Sequence, residues 1–286
     1  MMNRLQKLTL LVTVFLLSSG CTALLRTPSQ SDSSISASTP TSNPKQLATS
    51  DSTQPVENPI NSQPEQTTGE IAPQYLEISQ RVQARVPNQE LRQNNTDLNQ
   101  LYEAAAVADV ELQSITQELA KATQGTVVIP PGGLKDRERA EEKIMVDYGG
   151  DASRITDLAR IALEYETLDQ IYNALETVVD RTETLRFKDR FIKPTPGGYR
   201  DLLLNLKMPN GHIAELQITL RSLNEARFSQ GHKLYEEARG IQAKAMMDGR
   251  ELTPEESQRI EMLTQESEQL YGEAFARAMK QQPVSP

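Results

Sequence analysis

The sequence predicts an α+β fold, a mixed and mainly antiparallel sheet of four or five strands with helices on its face and ends. Three observations predict it. Apolar residues recur at helical spacing before residue 123 and again after residue 220. Two β-like runs, RDLLLNLKM and HIAELQITL, flank Pro209-Asn210-Gly211, and an Asn-Gly between such runs is a strong hairpin signal. A further run, ARIALEY at 159–165, passes directly into the amphipathic stretch TLDQIYNALETVV at 167–179.

Taken in order, residues 74–122 read as helix, with a weaker stretch before Pro87. In the stronger one Leu98, Leu101, Ala105, Ala108, Leu112, Ile115 and Leu119 alternate three and four apart, a single stripe on a helix of about 25 residues. Asn95 or Thr96 is the expected N-cap, and Gly125 follows the end. GTVVIPPGG (125–133) is a short β-like run stopped by prolines and glycines. LKDRERAEEKIMVDY then reads as a helix carrying Lys135, Arg139 and Lys143 on one face and Glu138, Glu141 and Glu142 on the others. After the hairpin the chain is helical over 221–248, turns at Asp248-Gly249, and starts a last helix near Pro254, where Thr253, Pro254 and Glu256 make the start signal.

The 286 residues divide by composition. Residues 1–20 carry Arg4 and Lys7, the apolar run LTLLVTVFLL and then SSG, the pattern of a secretory signal that is too short to span a bilayer. Cys21, the sole cysteine, directly follows and is the expected lipidation site, so the segment resembles a bacterial lipoprotein signal. Residues 21–72 are Ser, Thr, Pro, Gln and Asn-rich and are expected to be a disordered tether to a membrane, holding the rest on a periplasmic or extracellular face. Residues 73–124 are N-terminal helices, 125–240 the central domain, and 241–286 the C-terminal helix. One cysteine excludes intrachain disulfides and a cysteine-based metal site, and a net charge of −9 argues against a duplex nucleic-acid surface.

Candidate chemistry gathers in the central domain. Asp157 stands at the head of ARIALEY, Tyr199 follows the Gly197-Gly198 turn, and Glu215 and Gln217 share one face of the hairpin's second strand, opposite Ala214, Leu216 and Ile218. A mid-strand carboxylate beside one at another strand's start can hold a single divalent cation, and Mg²⁺ suits one or two carboxylates combined with phosphate oxygens. Lys135, Arg139, Lys143, Lys188 and Arg190 supply positive charge for phosphates. The blander alternatives are a glutamate on a solvated sheet face and lysines on a solvated helix face.

KDRFIKPTPGGYRDLLL, followed by AELQI, resembles the corresponding segment of the RelA/SpoT-like nucleotidyltransferases, the alarmone synthetase family. DASRITDLARIALEYETLDQIYNALE is similar to that family's stretch with Asp-Leu before a strand and a following helix, and LKDRERAEEKI sits where the family has its basic phosphate helix. The likeness covers about residues 130–235, in the manner of the divergent single-domain branch found among toxin-like proteins. It implies a nucleotidyltransferase-like fold that moves pyrophosphate from ATP to a 3′-hydroxyl of a nucleotide or RNA acceptor with Mg²⁺, guanosine tetraphosphate synthesis being the family's reaction. It also implies that Asp157 ligates Mg²⁺, that Glu215 is a second ligand or the base, and that Gln217 supports Glu215. Tyr199 would stack on the acceptor base; Lys135, Arg139 and Lys143 would hold the ATP phosphates, and Lys188 would neutralise the transferred group. The sequence departs from the family at Asp201-Leu202-Leu203, Thr195, Ala162 and Arg139, departures that bear on acceptor specificity more than on transfer. GHKLYEEAR (231–239) is similar to a downstream His-containing element, in which His232 either serves the site or buttresses a helix start. The other readings are a membrane-tethered lipoprotein that binds nucleotide or protein without catalysis, and a helical structural lipoprotein.

Overall fold

Alternating apolar residues place a five-stranded sheet at the centre of the fold. The computed structural model describes residues 71–280; the expected signal segment, Cys21 and all but the last two residues of the expected tether lie outside the described residues, as do 281–286. The strands are β1 (Thr126–Val128), β2 (Arg160–Tyr165), β3 (Thr184–Asp189), β4 (Leu202–Lys207) and β5 (Ile213–Leu220), in spatial order β1-β2-β5-β4-β3. Only β2 and β5 run parallel; the other neighbours are antiparallel. The helices are α1 (Pro73–Arg85), α2 (Leu98–Thr123), α3 (Arg137–Tyr148), α4 (Leu168–Arg181), α5 (Arg221–Ala226), α6 (His232–Met247) and α7 (Pro254–Lys280). The α+β expectation holds. Among the described residues no helix is long and apolar enough to cross a membrane.

The register sorts the sheet into two chemically different faces. Leu202, Leu204 and Leu206 of β4 pair with Ile218, Leu216 and Ala214 of β5, and Leu216, Ile218 and Leu220 pair with Ile161, Leu163 and Tyr165 of β2. Each of these side chains is buried. They face a layer of α1, α2 and α4, in which Tyr75 stacks on Tyr172 with ring centroids 4.7 Å apart. Burying each such Leu or Ile contributes roughly 2 kcal/mol. The opposite face, with α3 beside it, carries the polar residues described below.

Local chemistry moves several boundaries. The N-cap of α2 is Asp97, which accepts from the Asn99 and Gln100 amides; Asn95 instead accepts from the Asp97 amide. Its carboxylate suits the positive end of the helix dipole better than the neutral Asn95 or Thr96. Helix α3 starts only at Arg137, because Asp136 caps it by accepting from the Arg139 amide, so Lys135 lies ahead of the helix and shares no helical stripe with Arg139 and Lys143. The expected helix over 221–248 is broken at Arg227–Gly231, which forms a π-turn between α5 and α6. A capping box of Thr253 and Glu256 starts α7, as the sequence predicts.

Gln93, in the link between α1 and α2, fastens the two strand starts. Its Nε2 donates to the carbonyls of Ile155 and Ile213, each at 2.9 Å, and its Oε1 accepts from the Ile213 amide, also at 2.9 Å. The side chain is buried, so each contact replaces water that cannot return. Gln93→Ala should therefore lower stability to chemical denaturation by about 2–3 kcal/mol, a loss that Gln93→Glu will not restore because a carboxylate cannot donate to the two carbonyls.

His212, at the β4–β5 turn, is buried with Nε2 unpartnered, and burial lowers its pKa to about 4. The folded state therefore holds it neutral. Protonation in the unfolded chain begins to cost stability below the ordinary histidine pKa, and the full penalty, roughly 3 kcal/mol, is present below the folded value. The unfolding midpoint should fall between pH 6.5 and pH 4. His212→Gln should flatten that limb, and an unchanged pH dependence in the variant would refute the assignment.

Candidate active site

Four strands contribute to one polar row. Arg186 of β3 pairs with Asn205 of β4, Asn205 with Glu215 of β5, and Glu215 with Arg160 of β2. The next row down the same face is Lys188, Leu203, Gln217 and Ala162. Arg186 Nε donates to Asn205 Oδ1 at 2.9 Å, and Gln217 Nε2 donates to Glu215 Oε1 at 2.7 Å. Glu215 is buried at 9% exposure, so it does not stand on a solvated sheet face. Its backbone amide donates to the Ala159 carbonyl at 3.0 Å, which sets the loop carrying Asp157 beside it.

Asp157 ends that loop, just ahead of β2, and is 6% exposed. Its Oδ2 accepts from Lys135 Nζ at 3.1 Å and from Lys143 Nζ at 2.9 Å. Burial alone would raise its pKa, but the Lys143 and Lys135 ammonium groups hold the carboxyl well below the usual carboxylate range. The two lysines respond in opposite directions. Burial disfavours the Lys143 charge, yet Asp157, Tyr148 and Glu215 raise its pKa overall. Lys135 is lowered, by burial first, with Lys143 and Arg160 acting against Asp157. One carboxylate cannot balance both ammonium groups. Lys188 keeps solvent access, but partial desolvation and then Arg186 and Arg190 lower its pKa too. The face thus holds more positive charge than its own carboxylates satisfy, which is the condition for binding a polyanion.

Asp157 Oδ1 is buried and has no hydrogen-bond partner. An orphaned carboxylate oxygen in the loop that bonds to the Glu215 backbone would suit a hard divalent cation, with Asp157 as one holder, Glu215 available as another and ligand phosphates completing the shell. Three or more His, Cys, Asp or Glu side chains do not cluster as a metal site among the described residues. The fit is therefore to a cation that arrives with its ligand, not to a cage made by the protein alone.

The remaining expected site residues lie elsewhere. Arg139 turns away from Asp157 and pairs with Glu142 at 2.8 Å and with Glu236 of α6. Glu236 also meets His232 Nε2 at 3.3 Å, so His232, exposed on α6, belongs to that ion-pair group. Tyr199 is held by its turn, its amide donating to Thr195 Oγ1 at 3.0 Å. The ring is partly buried and packs against α7. It meets Tyr271 of α7 edge-on at 5.1 Å, with the Arg190 guanidinium 5.5 Å from its centroid, and its hydroxyl is buried without a partner. Gly198 has φ +78, and a Cβ there would lie 3.0 Å from Glu268 Cα, so glycine is required both for the turn and for the approach of α7. Arg190 in turn forms a bidentate pair with the fully buried Asp201, which closes the loop.

Sequence reasoning noted Arg160 only as lying near Ala162, without a role, and missed Arg186, Asn205, Arg227 and Gln93. For Arg186 a signal existed: in TLRFKD the apolar Leu185 and Phe187 alternate with Arg186 and Lys188, the mark of a strand with a polar face. Gln93 and Arg227 lie in segments without periodicity or in a helix read as regular, and nothing local marks them.

No family model matches the chain. Among curated proteins it is similar to the (p)ppApp synthetase toxin Tas1 of Pseudomonas aeruginosa (strain UCBPP-PA14), with 26% identity over 170 residues that cover 51% of this chain. The match takes in 38% of that protein, so the chain corresponds to well under half the length of this relative. Among solved structures it is similar to the type VI effector Tas1 in complex with its immunity protein (23% identity, 63% of this chain and 96% of that one, TM-score 0.46). The small alarmone synthetase 2 from Bacillus subtilis is similar at 20% identity, over 62% of this chain and 92% of that one, with a TM-score of 0.45. Small alarmone synthetase 1 from the same organism, bound to its product pppGpp, is similar at 15% identity, over 62% and 94%, with a TM-score of 0.43.

Proposed function

We propose that the domain is a RelA/SpoT-like nucleotide pyrophosphokinase, transferring pyrophosphate from ATP to a 3′-hydroxyl of a purine nucleotide. The observation that carries the reading is the buried Asp157, with one oxygen orphaned and two lysines on the other, set beside Glu215 on a face with surplus positive charge. The partial likeness to Tas1, itself described as a (p)ppApp synthetase, supports it and is the reason to test adenine nucleotides as acceptors. In this reading Asp157 would hold Mg²⁺ and leave Glu215 as the base; the ion, when bound, would supply charge neutralisation and orientation for the ATP phosphates. Lys135 and Lys143 keep Asp157 ionised and face the donor phosphates, while Lys188 and Arg186 stabilise charge on the transferred group. Glu215 accepts the acceptor hydroxyl's proton as that oxygen bonds to the β-phosphorus; the bond from the β-phosphorus to the α–β bridging oxygen breaks, and AMP leaves with that oxygen. Gln217 holds Glu215, and Tyr199 stacks on the acceptor base once its loop leaves α7.

A lipid at Cys21 and a periplasmic or extracellular position complete the proposal, supported by the signal-like segment before that residue. A second reading, a tethered domain that binds nucleotide without transfer, is favoured by the packing of Tyr199 against Tyr271.

Labelled ATP, Mg²⁺ and a panel of AMP, ADP, ATP, GDP, GTP and tRNA separate the two. Transfer of label to a nucleotide is expected, reduced at least about a hundredfold in Glu215→Ala, as for loss of a group acting at the reacting atoms. ATP binding without transfer to any acceptor would establish the second reading instead.

A further inference from the structure

Arg227 opens the π-turn between α5 and α6, and the turn sends its side chain back over the sheet. Its Nη1 donates to Gln217 Oε1 at 2.9 Å, and the other end of that amide donates to Glu215 Oε1 at 2.7 Å. A carboxamide has an accepting end and a donating end, and a guanidinium can only donate. Arg227 therefore fixes which way the Gln217 amide faces. The carboxylate also selects the donating end, but without Arg227 the oxygen end of the amide is untied, so the Gln217 side chain can leave this pose and Glu215 loses a fixed support.

Two further contacts hold Arg227 in this pose. Its guanidinium lies 4.9 Å from the ring centroid of Phe228, an aromatic side chain 53% exposed that has this evident use. Gly231, at the end of the turn, is pressed by Tyr271 of α7: a Cβ there would collide with the tyrosine oxygen and lie 3.3 Å from the Ala226 carbonyl. The same Tyr271 ring meets Tyr199. Wide helical turns of this kind recur at functional sites, where the extra residue redirects a side chain.

We propose that Arg227 is a positioning residue that orients Glu215 through Gln217, and that Tyr271 clamps the π-turn that aims it. The inference rests on the reading of Glu215 as the group at the reacting atoms. It goes beyond that reading by assigning a role to a residue that contacts neither the carboxylate nor, in this arrangement, the transferred group.

The test uses the full-length protein with labelled ATP, Mg²⁺ and ADP or GDP as acceptor. Arg227→Ala is expected to lower kcat about ten- to hundredfold, with KM for ATP changed less than about twofold. Gln217→Ala should do the same, and the double variant should be no slower than the slower single one, because the two residues act in series. Arg227→Lys should recover most of the rate, since an ammonium also only donates. Multiplicative losses in the double variant, or a loss confined to KM, would overturn the proposal and make Arg227 a phosphate ligand. A second arm needs no turnover. The Gln217 side-chain amide resonance, identified by its absence in Gln217→Ala, should shift in Arg227→Ala and in Tyr271→Ala; an unmoved resonance would also overturn the proposal. Amide shifts in the two variants, together with no transfer by the wild-type protein, would refute the pyrophosphokinase reading while leaving the orientation of Glu215 by Arg227 in place.

Discussion

The site depends on one strand pairing, the parallel run of β2 beside β5, locked where the Glu215 amide donates to the Ala159 carbonyl. Parallel neighbours start at the same end of a sheet, so the loop entering β2 is delivered to the side of Glu215, and Asp157 is in that loop. An antiparallel pair would have set the head of β2 against the tail of β5, some 15–20 Å away at roughly 3.3 Å per residue. The pairing also fixes which face receives the carboxylate, because a one-residue slip would drive Glu215 into the apolar layer and expose Leu216. Gln93 reinforces this by bonding to Ile155 and Ile213, each two residues before the carboxylate it helps to place.

The electrostatics show that this arrangement is not made for stability. A buried ion pair seldom contributes more than its desolvation costs, and here one carboxylate oxygen serves two ammonium groups while the other serves none. The burial that should neutralise Asp157 is overcome by Lys143 and Lys135, and Lys135 is left with a depressed pKa. A structural network would divide its donors among its acceptors. By contrast the Arg190–Asp201 pair, two donors against two acceptors, is satisfied and reads as structural. The two buried carboxylates thus differ: Asp201 has a donor for each oxygen, and Asp157 keeps one oxygen without a donor.

Much of this was legible because the residues that carry it sit in periodic segments. Alternation in IAELQI set Glu215 and Gln217 on one face before any coordinates, and the register agrees. The hairpin at Asn210-Gly211 and the start of α7 were equally plain. What was not legible depends on long-range contacts. Lys135 seemed to belong with Arg139 and Lys143 because the three are spaced by four; Asp136 caps α3 after Lys135, and the partners of Arg139 come from α6. Asp157 still gathers Lys135 and Lys143, but through a loop and a helix rather than along one helical stripe. The π-turn was not legible because a single Gly231 in SLNEARFSQGHKLYEEA is tolerated in a helix, and the close approach of Tyr271 to Gly231, forty residues apart, is a long-range contact.

Tyr199 imposes a further constraint on any catalytic reading. To stack on a base it must offer a ring face, yet Tyr271 and Arg190 occupy its surroundings. Either α7 or the loop has to give way. Helix α7 buries Ile260, Leu263, Tyr271, Ala274, Phe275 and Ala278, and moving it would expose all of them. The loop tip is held to α7 by the Ser267 hydroxyl on the Gly197 carbonyl and by van der Waals contact, and farther along by Arg200 over Phe275; the Arg190–Asp201 pair lies at the loop's base, so Gly197 and Gly198 let the tip pivot without breaking it. The loop is therefore the cheaper element to move. A nucleotide can open it only by as much as it binds the open form better than the closed one, so its apparent affinity must fall by the fraction of time the loop is closed. Because Tyr271 touches both Tyr199 and Gly231, withdrawal of Tyr199 also removes one wall of the packing that holds the π-turn. If Tyr199 does take an acceptor base, acceptor binding and the proposed orientation of Glu215 would be coupled through this one side chain of α7.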